Sequence, residues 1–88
     1  MLEINFTHQA EKYLKKLAKS SSETTAFILR QINGLRQNPI PLGARKLTNH
    51  PGYRIRIGNH RVVYEYDDEC LYITVIEKRD NVYRKLKR

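Results

Sequence analysis

The sequence predicts an α+β domain in which a helical hairpin packs on one face of a small, mainly antiparallel four-stranded sheet. Two observations lead to this prediction. Apolar residues recur every three or four positions between residues 10 and 35, and they alternate with polar residues at residues 2–6 and 53–77. The predicted order is β-α-α-β-β-β followed by a basic C-terminal tail. With 88 residues, the chain has room for one domain, residues 1–88.

The composition is that of a strongly basic globular protein. The chain has 17 Lys and Arg against 9 Asp and Glu, and its formal net charge of +8 predicts a polyanionic partner, either nucleic acid or an acidic protein. A single cysteine, Cys70, excludes an internal disulfide framework and fits a reducing cytoplasm. The apolar runs are too short to span a bilayer, and the N-terminus does not resemble a secretory signal. We therefore expect a cytoplasmic protein.

The first half of the chain predicts one strand and two helices. The alternation in LEINFT indicates a half-buried strand, and Thr7 after it is a suitable N-cap for the first helix. Three serines at positions 20–22 break this helix and can cap a second one. The second helix ends near Asn38-Pro39, because proline disfavours helix at the preceding residue.

The second half predicts three strands after a polar loop. Tyr53–Ile57 and His60–Tyr66 both alternate, and the Gly-Asn pair at 58–59 between them is typical of a two-residue hairpin turn. A second turn follows at 67–69. The last strand covers residues 70–77, and three of its apolar residues are expected to share one face: Leu71, Ile73 and Val75.

Three arginines are predicted on one face of this hairpin. With the turn at 58–59, Arg56 lies opposite Arg61, and Arg54 lies on the same face. Like charges directly opposite each other on antiparallel strands repel, so the fold alone gives no reason for this arrangement. A bound phosphate would supply the counter-charge, and guanidinium groups suit phosphate oxygens. The alternative is a solvated basic face with Glu65 as a nearby partner.

The C-terminal tail contains a second basic cluster. Lys78 and Arg79 follow the last strand, and Tyr83 lies four residues further on, among more cations. An aromatic ring among cations can stack on an unpaired base while the cations hold the backbone. In the alternative interpretation, Tyr83 fills a hydrophobic gap and the end of the tail is simply solvated. No spacing of histidines and carboxylates suggests a metal site.

Three stretches of the chain resemble the RelE/ParE toxin superfamily. They are NPIPLGARKL at 38–47, GYRIRIGNHRVVY at 52–64 and KRDNVY at 78–83. The resemblance covers nearly the whole chain and implies a fold similar to that of microbial ribonucleases. The RelE branch contains toxins of type II toxin–antitoxin systems that cut mRNA in the ribosomal A site without a metal or other cofactor. The substrate's 2′-hydroxyl attacks the adjacent phosphate and leaves a 2′,3′-cyclic phosphate.

The resemblance implies catalytic roles for five residues. Arg61 would stabilise the transition-state phosphate, Arg79 would lie at the leaving group, and Tyr83 would stack on or orient the scissile nucleotide. Arg54 and Arg56 occupy family positions commonly filled by lysine, and they are poor general bases because arginine does not lose its proton.

The sequence leaves the proton acceptor open. The candidates are Tyr83, Glu77, Lys78, a ribosomal group, water, or charge stabilisation with little base catalysis. Four further cations are expected to bind RNA: Arg45, Lys46, Lys78 and Arg84.

The resemblance implies three partners, which are a cognate antitoxin, the ribosome and its rRNA, and the mRNA substrate. The main alternative is a ParE-like inhibitor of DNA gyrase with the same fold and no ribonuclease activity. Arg79 and Tyr83 favour the RelE branch, because ParE-like tails do not typically present this pair. A non-catalytic nucleic-acid-binding protein would account for the charge but not for the superfamily pattern.

Overall fold

The computed structural model describes residues 1–78 and contains two helices and a five-stranded sheet. The elements in chain order are β1 (Glu3–Phe6), α1 (His8–Ser20), α2 (Ser22–Gly34), β2 (Arg45–Lys46), β3 (Tyr53–Ile57), β4 (His60–Tyr66) and β5 (Cys70–Lys78). The strand order is β1-β5-β4-β3-β2, with β1 parallel to β5 and all other pairs antiparallel. The predicted α+β class is confirmed. The predicted basic tail lies outside the described residues.

The sheet contains one strand more than the four predicted. The additional strand, β2, lies in the segment predicted as a loop, where Arg45 pairs with Arg54 and Lys46 pairs with Tyr53. Alternation cannot reveal a strand of two residues, because there is no pattern to count. Since β2 is so short, the outer edge of β3 has no strand partner beyond Arg54 within the described part of the chain.

The predicted helical hairpin is confirmed, and its caps are those expected. The hydroxyl of Thr7 accepts a hydrogen bond from the backbone N–H of Ala10 at 3.3 Å, which makes Thr7 the N-cap of α1. Ser21 alone connects the two helices. Its N–H donates to the carbonyl of Leu17 at 2.7 Å, and its hydroxyl accepts from the N–H of Thr24 at 3.4 Å. Neither helix within residues 1–78 is long and apolar enough to cross a membrane.

The hydrophobic core lies between the helical hairpin and one face of the sheet. Its fully buried members come from both helices and from the two central strands, and they include Ala10, Ile28, Ile32, Val62, Tyr64, Leu71 and Ile73. The hydroxyl of Tyr64 donates to the backbone carbonyl of Pro39 at 2.6 Å, which attaches the loop after α2 to the sheet. Burial raises the pKa of Tyr64 to about 12, so this hydroxyl remains a donor at neutral pH.

A β-bulge in β5 reverses the alternation of its side chains. Val63 pairs with Val75 and Tyr64 pairs with Ile73, so Thr74 has no opposite residue in β4. The expectation that Val75 continues the buried face is therefore wrong. Beyond the bulge, Ile76 is the buried residue, with 2% of its surface exposed. The inserted residue moves every later side chain of β5 to the other face.

Candidate functional site

The predicted cluster of arginines is present on the sheet face that points away from the helices. Arg56 pairs directly with Arg61 across the β3–β4 hairpin, as the sequence indicated, and Arg54 pairs with Val63. Arg45 extends the cluster, because it lies opposite Arg54 on β2. These four side chains define what we call the arginine face: Arg45, Arg54, Arg56 and Arg61.

The two-residue turn at 58–59 sets the register of the arginine face. Gly58 has a φ of 62°, a region that favours glycine, and no positive φ is found at Asn59. A positive φ at only the first central residue is the geometry of a type II′ hairpin turn. This turn places Ile57 opposite His60 and therefore Arg56 opposite Arg61.

Arg61 has a carboxylate partner, and this partner is Glu77. The Nη2 atom of Arg61 lies 3.7 Å from Oε2 of Glu77, and each side chain keeps 29% of its surface exposed. This is the one side-chain ion pair within residues 1–78. Glu65, which the alternative of a solvated basic face named as a nearby partner, lies opposite Tyr72 instead. Glu77 reaches this face because of the bulge in β5. The sequence did not indicate this partner, because the alternation of apolar and polar residues in β5 carries no signal of the bulge.

A groove of about 820 Å³ follows the open edge of β3. All four residues of the arginine face line it on one side. The other side is formed by the end of α2 and the loop after it, including Leu35, Asn38 and Leu42. Leu42 is completely exposed. The volume lies within the range of small-ligand sites, about 300–1,000 Å³, and the lining favours an anionic occupant.

The structure separates Lys46 from the arginine face. Lys46 pairs with Tyr53, so its side chain lies on the opposite face of the sheet from Arg45. Its ammonium group is 5.6 Å from the centre of the Tyr53 ring and donates to the backbone carbonyl of His50. Lys46 therefore would not bind the same phosphate as the arginines.

Lys78 is also separate from the arginine face. It pairs with His60 at the end of β5 and lines a second groove of about 450 Å³, together with Tyr13 and Lys16. If both lysines bind RNA, they do so on the helix side of the sheet. The remaining residues expected in the site, Arg79, Tyr83 and Arg84, lie outside the described residues.

His60 forms a buried hydrogen-bond chain beneath the hairpin turn. Only 2% of its surface is exposed, and it lies on the face of the sheet that packs against the helices. Its Nε2 atom lies 2.8 Å from the hydroxyl of Tyr13, and its Nδ1 atom lies 2.9 Å from Oδ1 of Asn59. With the proton on Nδ1, the imidazole donates to Asn59 and accepts from Tyr13. Sequence analysis missed this contact, because Tyr13 is 47 residues away and carries no signal of its partner.

The shifted pKa values of His60 and Tyr13 favour the neutral form of both side chains. Burial and the nearby charge of Lys78 lower the pKa of His60. Burial and the charge of Glu77 raise the pKa of Tyr13. The hydrogen bonds between the turn and α1 are therefore intact at neutral pH, and they hold the end of the hairpin that carries Arg56 and Arg61.

The comparison with protein families identifies the chain. Residues 4–83 match the family model described as the ParE toxin of type II toxin–antitoxin systems, parDE. The chain belongs to this family. The predicted membership of the RelE/ParE toxin superfamily is thereby confirmed, and the protein is a toxin of a type II toxin–antitoxin system. No curated protein is significantly similar to the toxin in sequence.

Solved structures of related toxins share the fold of this toxin. The YoeB dimer from Staphylococcus aureus is 27% identical, with a TM-score of 0.76 over 86% of this chain and 94% of the other. In the YoeB–YefM complex from the same organism, the matching chain is 25% identical, with a TM-score of 0.74 over 88% and 95% of the two chains. A YoeB/ParE toxin from Agrobacterium tumefaciens is 17% identical, with a TM-score of 0.77 over 88% and 98%, and shows the fold alone.

Proposed function

We propose that the toxin is a ribosome-dependent endoribonuclease that cuts mRNA in the A site and so inhibits translation. The observation that supports this proposal most strongly is the direct pairing of Arg56 with Arg61 on the face beside the 820 Å³ groove. Like charges directly opposite each other on a sheet repel, and the partly exposed ion pair of Arg61 with Glu77 offsets this repulsion only in part. A phosphate between them turns this repulsion into binding, because each guanidinium group can contact different oxygens of the same anion.

The arginine face suits cleavage by the substrate's own 2′-hydroxyl. In this reaction, attack on the adjacent phosphate adds negative charge to its non-bridging oxygens. Arg61 would contact these oxygens in the transition state, and Arg54 and Arg56 would hold the phosphate from β3. Fixed donors of this kind contribute about 10²–10³ each in rate when they are aimed at developing charge. The reaction proposed here uses no metal or other cofactor.

The roles assigned to the tail are part of the same proposal. Arg79 would neutralise the leaving 5′ oxygen, and Tyr83 would stack on or orient the scissile nucleotide. Lys46 and Lys78 face the helix side of the sheet, where they would contact rRNA or mRNA away from the scissile phosphate. Arg45 and Arg84 would contact the RNA backbone.

We also propose a cognate antitoxin as the partner of the toxin in the cytoplasm. The solved YoeB–YefM and RelE–RelB complexes contain a toxin of similar fold bound to a second protein. The net charge of +8 favours an antitoxin with an acidic segment that covers the arginine face.

A second candidate function is inhibition of DNA gyrase. The family match favours it, because the matching family is described by its ParE toxins. In that case the arginine face would be a binding surface for gyrase or its DNA, and the 2′-hydroxyl of RNA would have no role.

Primer extension separates the two functions. A defined mRNA is incubated with purified toxin, with and without programmed 70S ribosomes, and a gyrase supercoiling assay is run on the same protein. We expect cleavage within the A-site codon only when ribosomes are present, and no loss of supercoiling. Absence of cleavage from toxin that arrests growth and inhibits supercoiling would establish the gyrase function instead.

A further inference from the structure

The bulge in β5 determines which face of the sheet Glu77 occupies. Leu71 and Ile73 lie on the helix side and are fully buried. In a regular strand, residues 75 and 77 would follow them into the core, because side chains alternate with a period of two. The extra residue, Thr74, reverses this parity, and Glu77 consequently lies opposite Arg61 on the arginine face.

The bulge is fixed by hydrogen bonds on both sides. The carbonyl of Thr74 accepts from the hydroxyl of Thr7 at 2.8 Å, and the hydroxyl of Thr74 donates to the carbonyl of Val63 at 3.1 Å. β-bulges are frequent next to active sites, where they redirect a side chain. The redirected side chain here is the one carboxylate within residues 1–78 that forms an ion pair with the arginine face.

We propose that Glu77 is the general base of the cleavage reaction, an inference that rests on the endoribonuclease function proposed above. A phosphate bound by Arg61 lies next to Glu77, because the charged groups of these residues are 3.7 Å apart. The attacking 2′-hydroxyl is adjacent to that phosphate and so comes within reach of the carboxylate. The arginines beside it cannot accept a proton, whereas Glu77 can, and 29% of its side chain is open to solvent.

The carboxylate of Glu77 takes the 2′ proton while the 2′ oxygen forms its bond to phosphorus, and the bond from phosphorus to the 5′ oxygen breaks. The 5′ oxygen takes a proton from water, and Glu77 returns its own proton to solvent. The products are a 2′,3′-cyclic phosphate and a free 5′-hydroxyl.

Charged and titratable groups surround Glu77 on several sides. Arg61 lies opposite it on β4, and Arg56 lies beyond Arg61 on β3. Tyr13 in α1 lies on the helix side of the sheet, where burial and, to a smaller extent, the charge of Glu77 raise its pKa. The adjacent Lys78 lines the groove on the other face of the sheet. The carboxylate therefore lies beside the cations of the arginine face.

The test compares Glu77→Gln with Glu65→Gln as the matched control. Glu65 lies on the same face of β4 but opposite Tyr72, away from Arg61. Cleavage of an mRNA on programmed 70S ribosomes is measured in single turnover at several pH values between about 6 and 8.5. We expect a nearly flat profile for the wild type and for Glu65→Gln. Glu77→Gln should be slower by about 10²–10⁴.

The pH profile distinguishes a base from a positioning residue. If Glu77 accepts the proton, hydroxide must replace it in Glu77→Gln, and the rate should then rise about tenfold per pH unit. Glu77→Asp retains a carboxylate and should keep the flat profile at a reduced rate. Circular dichroism confirms that each variant is folded.

Two results would overturn the inference. Wild-type rates from Glu77→Gln would show that no proton passes through this carboxylate, and a slow Glu77→Gln with a flat profile would show that Glu77 only orients Arg61. In both cases the wild type still cuts mRNA, so the endoribonuclease function stands. If the wild type does not cut on ribosomes, the function and the inference both fail.

Discussion

The hydroxyl of Thr7 donates a 2.8 Å hydrogen bond to the backbone carbonyl of Thr74, 67 residues further along the chain. The same hydroxyl accepts from the N–H of Ala10 as the N-cap of α1. The N–H of Thr7 donates to the carbonyl of Ile73 at 3.0 Å. One residue therefore fixes the start of α1 and the bulge that directs Glu77 towards Arg61.

Thr7→Ala should destabilise the toxin by about 1–2 kcal/mol, because it removes an N-cap and a hydrogen bond to the bulge. Thr7→Ser keeps the hydroxyl and is the matched control. Urea denaturation followed by circular dichroism measures the free energy of unfolding of both variants. Equal stability of Thr7→Ala and the wild type would show that neither hydrogen bond contributes.

Protonation of His60 should destabilise the fold in mild acid. Burial and Lys78 lower the pKa of this imidazole in the folded state. In mild acid, the unfolded chain therefore binds a proton at His60 that the folded chain does not bind. The free energy of unfolding should consequently fall as the pH drops below about 6.5. His60→Gln should be less stable overall but should lose this part of the pH dependence.

The control for this measurement is His8→Gln, since His8 is exposed at the start of α1. Denaturation curves between about pH 5 and 8 should show the acid-sensitive component in the wild type and in His8→Gln. The same slope in His60→Gln would assign the pH dependence to another group.

Arg61→Ala should abolish growth inhibition and reduce A-site cleavage by at least about 10²-fold, because it removes the main contact to the transition-state phosphate. The fold should remain intact, since the side chain points away from the core and its ion pair is partly exposed. Arg30→Ala removes an exposed cation from α2 and is the control. A well-expressed, folded Arg61→Ala that is as toxic as the wild type would exclude the proposed site.

Arg54→Lys should retain cleavage or increase it. Lysine keeps the positive charge beside the groove and adds a group that can exchange a proton. Single-turnover cleavage on ribosomes measures the effect. A complete loss of activity would show that the two-pronged geometry of the guanidinium group, rather than its charge, is required at this position.

Tyr83→Phe should keep most of the activity, whereas Tyr83→Ala should lose it. If Glu77 takes the 2′ proton, the hydroxyl of Tyr83 is dispensable and the ring is needed for stacking on the nucleotide. The measurement is again cleavage in single turnover. A Phe variant as slow as the Ala variant would assign proton transfer to Tyr83 and contradict the role of Glu77.

The hairpin and its arginines could be predicted because their signals are local. The Gly-Asn turn sets the pairing of Arg56 with Arg61, and alternation on both strands assigns the faces. The ion pair of Arg61 with Glu77 could not be predicted, because it depends on a one-residue bulge held by Thr7 from the other end of the chain. The contact between Tyr13 and His60 could not be predicted either, because these residues are far apart in the sequence and only the folded chain brings them together.

The position of β5 in the sheet has a consequence for synthesis of the toxin. β5 follows every other described element in the chain, yet it lies between β1 and β4. Until residues 70–78 have been made, β1 has no strand to pair with, and Arg61 lacks the neighbouring carboxylate. A nascent or truncated chain that ends before Cys70 therefore lacks the strand that joins β1 to β4. We expect such a chain to be inactive, and not merely less toxic. The arginine face therefore reaches its final form only after β5 has been made.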